Sequence, residues 1–170
     1  MVKDWLQISS DKLVESANQT IYMIGWSLFF GMLLAIPLGL VMTLCRKGGL
    51  RENLIVFWII NGIVNIVRSV PFVILLVFIA PVTKIVVGTR IGTTAAIVPL
   101  VLYIAPYLAR LIEVSLLEVK SSVLEAAQAM GASTLQIIWY FLLLEAKASL
   151  ILALTTGTIG LLGATAMAGT

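Results

Sequence analysis

Apolar and polar positions fall into long blocks along this chain. Ile21 to Leu44 is 24 residues without a charge, Ile91 to Ala109 is 19 and Ala148 to Thr170 is 23. A helix needs ~20 such residues to cross the ~30 Å hydrocarbon core of a bilayer, so each block predicts one membrane-spanning helix. Lipid gives the backbone no hydrogen-bond partners, which is why a helix is required. The first block is too long for a signal-peptide core and has no clear small-residue cleavage site, so it reads as a retained span. A fourth block, Leu54 to Thr83, is interrupted only by Arg68 and Pro71. As one straight helix it would reach ~45 Å, too long for a single crossing. Asn61, Asn65 and Arg68 stand at i, i+4 and i+7 and share one face. Arg68-Ser69-Val70-Pro71 predicts a break, because proline removes a donor and restricts the residue before it. Two descriptions of residues 54–85 stay open: an interfacial helix over Leu54 to Val67 followed by a span from about Phe72 to Ile85, or one long, kinked and tilted helix.

Composition agrees with this pattern. Hydrophobic residues make up 61% of the 170, charged ones 11%, and the mean hydropathy is +1.11. Soluble domains carry about 25% charged residues, so the chain is an all-α integral membrane protein with four visible transmembrane helices. Histidine is absent and Cys45 stands alone, which removes disulfide frameworks, Cys/His metal sites and His-based nucleophiles. The net charge of +3 does not point to nucleic acid, because the basic residues are scattered at the edges of apolar blocks. They do set an orientation. Arg46, Lys47, Arg51, Arg110, Lys120 and Lys147 fall on one side of a four-span chain, against Lys3, Lys12, Lys84 and Arg90 on the other. The richer side is expected in the cytoplasm, with residues 1–20 as an extracytoplasmic segment and residues 21–170 as the transmembrane domain.

Small residues recur at four-residue spacing: Gly31, Ala35 and Gly39 on the first span, and Gly160, Ala164 and Ala168 on the last. Such rows let helix backbones approach closely in lipid. They fit packing within one subunit, or a row that lines a pathway or an inter-subunit contact. All five prolines lie in or at the edges of the spans, which suits a transporter.

The polar segment Arg110 to Lys147 is more specific. Ser122-Val123-Leu124-Glu125 fits a capping box and predicts a helix beginning near Val123, with Gly131 placed to end it. Ser133-Thr134-Leu135-Gln136 fits a second capping box and starts another helix leading into the last span. The expected result is a compact helical hairpin on the cytoplasmic side, between the last two visible spans. A small-residue helix ending in glycine suits a groove in a partner. The plainer reading makes Glu125 a capping residue, and Ala126, Ala127 and Gly131 ordinary helix formers with an ordinary C-cap.

Glu125-Ala126-Ala127, three residues, then Gly131 resembles the EAA loop of bacterial ABC importer permeases. Arg68-Ser69-Val70-Pro71-Phe72 resembles an early-span pattern of the same family. The stretches from Val87 to Leu100, Ala109 to Glu113 and Glu125 to Ala132 resemble its methionine-type branch, and the likeness covers the chain from about Ile21 onward. The resemblance implies a multi-pass inner-membrane permease whose residues Glu125, Ala126, Ala127 and Gly131 couple it to separate ATPase subunits. Those subunits would bind ATP and Mg, with no cofactor in this chain. It further implies a second copy of the chain, an extracytoplasmic substrate-binding protein, and an amino-acid substrate, methionine or a relative. ATP binding would pull on the two hairpins and rock the route between inward-open and outward-open states. Two features depart from the family. Leu143-Leu144 stands where a Leu-Pro pair is usual, so the second hairpin helix is expected to run continuously into the last span. A fifth span is also usual, which makes the chain look C-terminally truncated.

Two other classes compete. A secondary transporter or channel usually marks its ion route with intramembrane ionisable residues, and only Arg68 approaches that description. A membrane enzyme would need an acid/base pair, yet Glu113, Glu118, Glu125 and Glu145 have no recognisable second member.

Overall fold

The computed structural model describes residues 10–168, and regular structure among them is helical throughout. Helix α1 is Ser10–Cys45, α2 Leu54–Ser69, α3 Phe72–Val87, α4 Thr93–Leu117 and α5 Ser121–Ala129. Helix α6, Thr134–Glu145, contains a π-helical stretch over Ile137–Leu142, and α7 is Lys147–Ala168. Helices α1, α4 and α7 are each long and apolar enough to cross a membrane. Helices α2 and α3 pass that test only as a pair, bent by 108° at the break between them.

The core is the contact of α1 with α4. A side chain built on Gly31 would run into Ile104. One built on Gly39 would meet Ile112 Cγ2 at 2.7 Å and the Ala109 carbonyl oxygen at 2.9 Å. Ala35, between them, is completely buried. The row extends at the same spacing to Ser27 and Thr43, both buried. Thr43 satisfies its hydroxyl on the Gly39 carbonyl at 2.9 Å. These residues give the first span its packing role inside one subunit.

The same contacts fix direction. Gly31 pairs with Ile104 and Gly39 with Ile112, so an advance of eight residues on α1 matches eight on α4 and the two helices run parallel. Parallel helices require the chain between them to return to the end from which α1 started. The bent α2–α3 pair therefore makes one net crossing rather than re-entering on the side it left. Helix α7 runs the other way, since Gly157 abuts Leu108, Gly160 approaches Tyr107, and Ser149 bonds Glu118.

Of the five prolines, Pro37, Pro81, Pro99 and Pro106 stand inside continuous helices, and only Pro71 coincides with a break. Neighbouring helices can re-satisfy the carbonyls that a membrane proline frees. The break at Pro71 is sharper because Val70 is extended, with ψ 121°, and its N–H bonds the Val67 carbonyl at 3.2 Å.

Helices reach beyond the uncharged blocks at two ends. Residues 10–20, expected in an extracytoplasmic segment, already belong to α1; residues 1–9 of that segment lie outside the described residues. The third uncharged block ends at Ala109, but α4 continues to Leu117. There Arg110 and Glu113, at i and i+3, form an ion pair that neutralises Glu113, whose side chain is only 4% exposed. A buried charge is tolerable when paired in this way.

Replacing Gly39 with alanine should cost about 1–3 kcal/mol, because its Cβ meets backbone that cannot rotate away. Gly25→Ala, with no heavy atom within 4 Å of its Cβ, should be neutral or slightly stabilising. Thermal midpoints of the two purified variants in detergent check the pair; equal midpoints would contradict the close approach.

Candidate coupling hairpin and membrane break

The hairpin sits where α4 ends. Val119 is buried with Leu116 in the core, which pins the chain and leaves Lys120 extended (φ −61°, ψ 132°) as the N-cap of α5. Helix α5 therefore begins at Ser121, two residues before the expected start. Ser122 already lies inside the helix, and the N-cap forms no side-chain hydrogen bond. The capping box expected at Ser122 to Glu125 is not formed, so Glu125 is not a cap.

The end of α5 is a Schellman turn. Met130 is the C-cap, Gly131 follows with φ 79°, Gly131 N–H donates to the Gln128 carbonyl at 2.9 Å, and Ala132 N–H donates to the Ala127 carbonyl at 3.1 Å. That left-handed conformation favours glycine, since a Cβ there costs about 1–2 kcal/mol. The second capping box forms. Ser133 N–H donates to Gln136 Oε1 at 2.8 Å and Gln136 N–H donates to Ser133 Oγ at 3.4 Å.

Helix α6 then widens into its π-turn, whose Ile137, Ile138 and Leu142 are buried while α5 lies against it. Leu143 and Leu144 are helical, so no break falls where a proline is usual. Regular helix lapses only at Ala146, which donates to the Leu142 carbonyl at 3.0 Å and accepts from Leu150 N–H at 2.9 Å. The hairpin thus joins α7 through a single residue. Beside that joint, the Ser149 hydroxyl donates to Glu118 at the end of α4.

The four expected residues divide. Ala127 is fully buried and holds α5 to the body, whereas Glu125, Ala126 and Gly131 are exposed. Glu125 and Gln128 line a cleft of about 330 Å³ whose other wall is the loop after α1, including Arg46 and Lys47. That loop is tied down by Gly48 N–H on Glu52 at 3.0 Å and by Asn53, whose side chain caps α2 at Val56 N–H. The cleft also places the loop and the hairpin at one end of the molecule. Sequence reasoning missed the apolar tip around the turn, where Met130 is 71% and Leu135 69% exposed. The signal lies in the sequence, where Met130 and Leu135 flank the four small residues Gly131 to Thr134.

A second polar site lies at the α2–α3 break. Arg68 lies in the last turn of α2, with its guanidinium carbon 5.9 Å from the centre of the Tyr107 ring. Upstream on the same face, Asn65 donates to Asn61 at 3.4 Å.

Residues 16–170 match the family described as binding-protein-dependent transport system inner membrane component. The chain belongs to this family of transport permeases. It is 47% identical over 169 residues to a Vibrio cholerae O1 protein named "Probable D-methionine transport system permease protein MetI", covering 99% of this chain and 75% of that one. To the D-methionine transport system permease protein MetI of Escherichia coli K12 it is 43% identical over 157 residues, covering 92% and 72%. A solved structure titled as an inward-facing conformation of the MetNI methionine ABC transporter superposes with a TM-score of 0.91 at 41% identity, over 94% of this chain and 76% of that one. A more distant structure, titled as an amino acid ABC transporter with histidines, shares the fold at a TM-score of 0.70 and 17% identity. The permease is therefore a multi-pass inner-membrane component, as its family description states.

Within the permease hairpin, Ser133→Ala should lower stability by about 1 kcal/mol, since it removes a formed cap. Ser122→Ala should change it by less than about 0.5 kcal/mol, as an exposed helical position with no cap bond. Thermal midpoints in detergent read both; an equal loss would mean the first box forms after all.

Proposed function

We propose that this permease is the membrane subunit of an ATP-driven importer for methionine or a closely related amino acid. It works as a pair of copies with two ATPase subunits and an extracytoplasmic binding protein. ATP and Mg bind the ATPase chains, and this chain makes and breaks no covalent bond. The observation that carries the reading is the shape of the hairpin. A buried Ala127 and a glycine turn hold an exposed tip, Met130 and Leu135, away from the membrane-spanning body. An apolar tip of this kind fits a cleft in a partner, and residues Glu125 and Ala126 beside it are open to contact. The relatives with 43–47% identity support the substrate class.

The hairpin end of the permease faces the cytoplasm in this account, as its six basic residues favour. When the ATPase subunits close on ATP they draw the two hairpins together. Because α6 meets α7 through Ala146 alone, hairpin motion passes directly into a spanning helix. ATP then biases an equilibrium between inward-open and outward-open arrangements, and the binding protein loads the outward-open one.

Co-purification from membranes with a methionine-type ATPase subunit tests this. The wild-type chain should recover a complex of two permeases and two ATPases. Gly131→Leu should insert normally but reduce recovery at least about tenfold, because it strains the left-handed turn and puts bulk at the tip. Full recovery by that variant, or none by the wild type, would contradict the coupling role.

A further inference from the structure

The membrane break encloses chemistry that the coupling function leaves unused. Between α2, α3, α4 and α7 lies a cavity of about 640 Å³, bounded by Arg68, Phe72, Tyr103, Gly160, Gly163 and Ala164. Its depth follows from α4. Tyr103 stands ten residues into a 25-residue helix, ~15 Å from its start, and so near the middle of a ~30 Å hydrocarbon core. Arg68 is thus a cation at membrane depth, and such a residue is costly unless it is partnered or serves a ligand.

Its neighbours do not neutralise it. Among the described residues the ion pair formed is Arg110–Glu113, and the contact of Arg68 is the face of Tyr107. The side chain remains exposed to the cavity. The C-terminus of α2 stabilises the cation in place. Across the break, α3 begins at Phe72 with Pro71 as N-cap and no side-chain cap, so its first N–H groups belong to the same wall. Gly160, Gly163 and Ala164 keep the α7 wall of the cavity low, with Met167 beside them, and the rest of the lining is largely apolar. Arg68 and the N-terminus of α3 match a carboxylate, the orphan carbonyls at the α2 C-terminus and the Ser69 and Tyr103 hydroxyls offer acceptors for an ammonium, and the apolar walls match an apolar body.

We infer that the cavity at the α2–α3 break binds the transported amino acid during passage, with Arg68 holding its carboxylate. The inference rests on the importer reading above and names a site within it. The carboxylate is common to all amino acids, so this cavity serves the class; its apolar walls suit side chains such as that of methionine. A phosphate headgroup offers the same charge, and the experiment separates the two.

The test uses the complete complex in vesicles, with uptake of labelled methionine measured at saturating binding protein for wild type, Arg68→Gln and Arg68→Lys. Each variant is first checked for recovery of the ATPase-bound complex. Loss of one charged hydrogen-bond partner should slow uptake about tenfold or more in Arg68→Gln, with Arg68→Lys recovering part of it. Uptake by Arg68→Gln equal to wild type overturns the inference while leaving the importer reading intact. Failure of both variants to assemble also overturns it, since Arg68 would then be structural. If wild type moves another amino acid instead, the same ratio is taken with that substrate and decides the question. A wild type that moves no amino acid overturns the importer reading and this inference together. Repeating the comparison without anionic phospholipid gives the last outcome: a ratio that disappears with that lipid assigns Arg68 to a headgroup.

Discussion

The close parallel contact of α1 with α4 is the constraint on which the rest of the permease depends. It exists because Ser27, Gly31, Ala35, Gly39 and Thr43 present small side chains every fourth residue, and Ile104 and Ile112 fill the space. In lipid there is no hydrophobic drive to bring helices together, so close packing must do so. Once the two helices are parallel, the bent α2–α3 pair must cross the membrane. The loop after α1 must then lie with the hairpin, and the break at Pro71 must fall near mid-depth.

From that frame the hairpin is built by local rules. A Schellman turn at Gly131 and a capping box at Ser133 reverse the chain within a few residues. Ala127 and the π-turn of α6 seat α5 against the body, and Ala146 passes α6 into α7. The bond from Ser149 to Glu118 joins the start of α7 to the end of α4. Motion of the tip therefore has two short routes into the spanning helices, one through α6 and α7 and one through Glu118.

Much of this was legible in the sequence. Uncharged blocks marked α1, α4 and α7 because length and charge alone decide insertion. The break at Arg68 to Pro71, the turn at Gly131 and the cap at Ser133 were legible because glycine, proline and serine act through their own local geometry. The helix ends were less so. Ala109 looked like the end of a span because Arg110 follows, but Arg110 pairs with Glu113 and the helix continues to Leu117 with Ile112, Ser115 and Leu116 buried. Ser122 looked like a cap by its spacing to Glu125, but burial of Val119 starts the helix earlier. The direction of α4 relative to α1, the depth of Arg68 and its contact with Tyr107 depend on tertiary contacts that no local pattern encodes.

One broken crossing by α2 and α3 puts the hairpin and the first loop on the same side, which the proposed orientation makes the cytoplasmic one. Single-cysteine variants at Gly48, Thr89 and Ala132, with Cys45 replaced by serine, can be labelled with a membrane-impermeant maleimide in right-side-out vesicles. Thr89 is expected to react from outside, while Gly48 and Ala132 react only after the membrane is opened. Labelling of Thr89 from the same side as Gly48 would mean that the pair re-enters without crossing, and would contradict the parallel packing of α1 and α4.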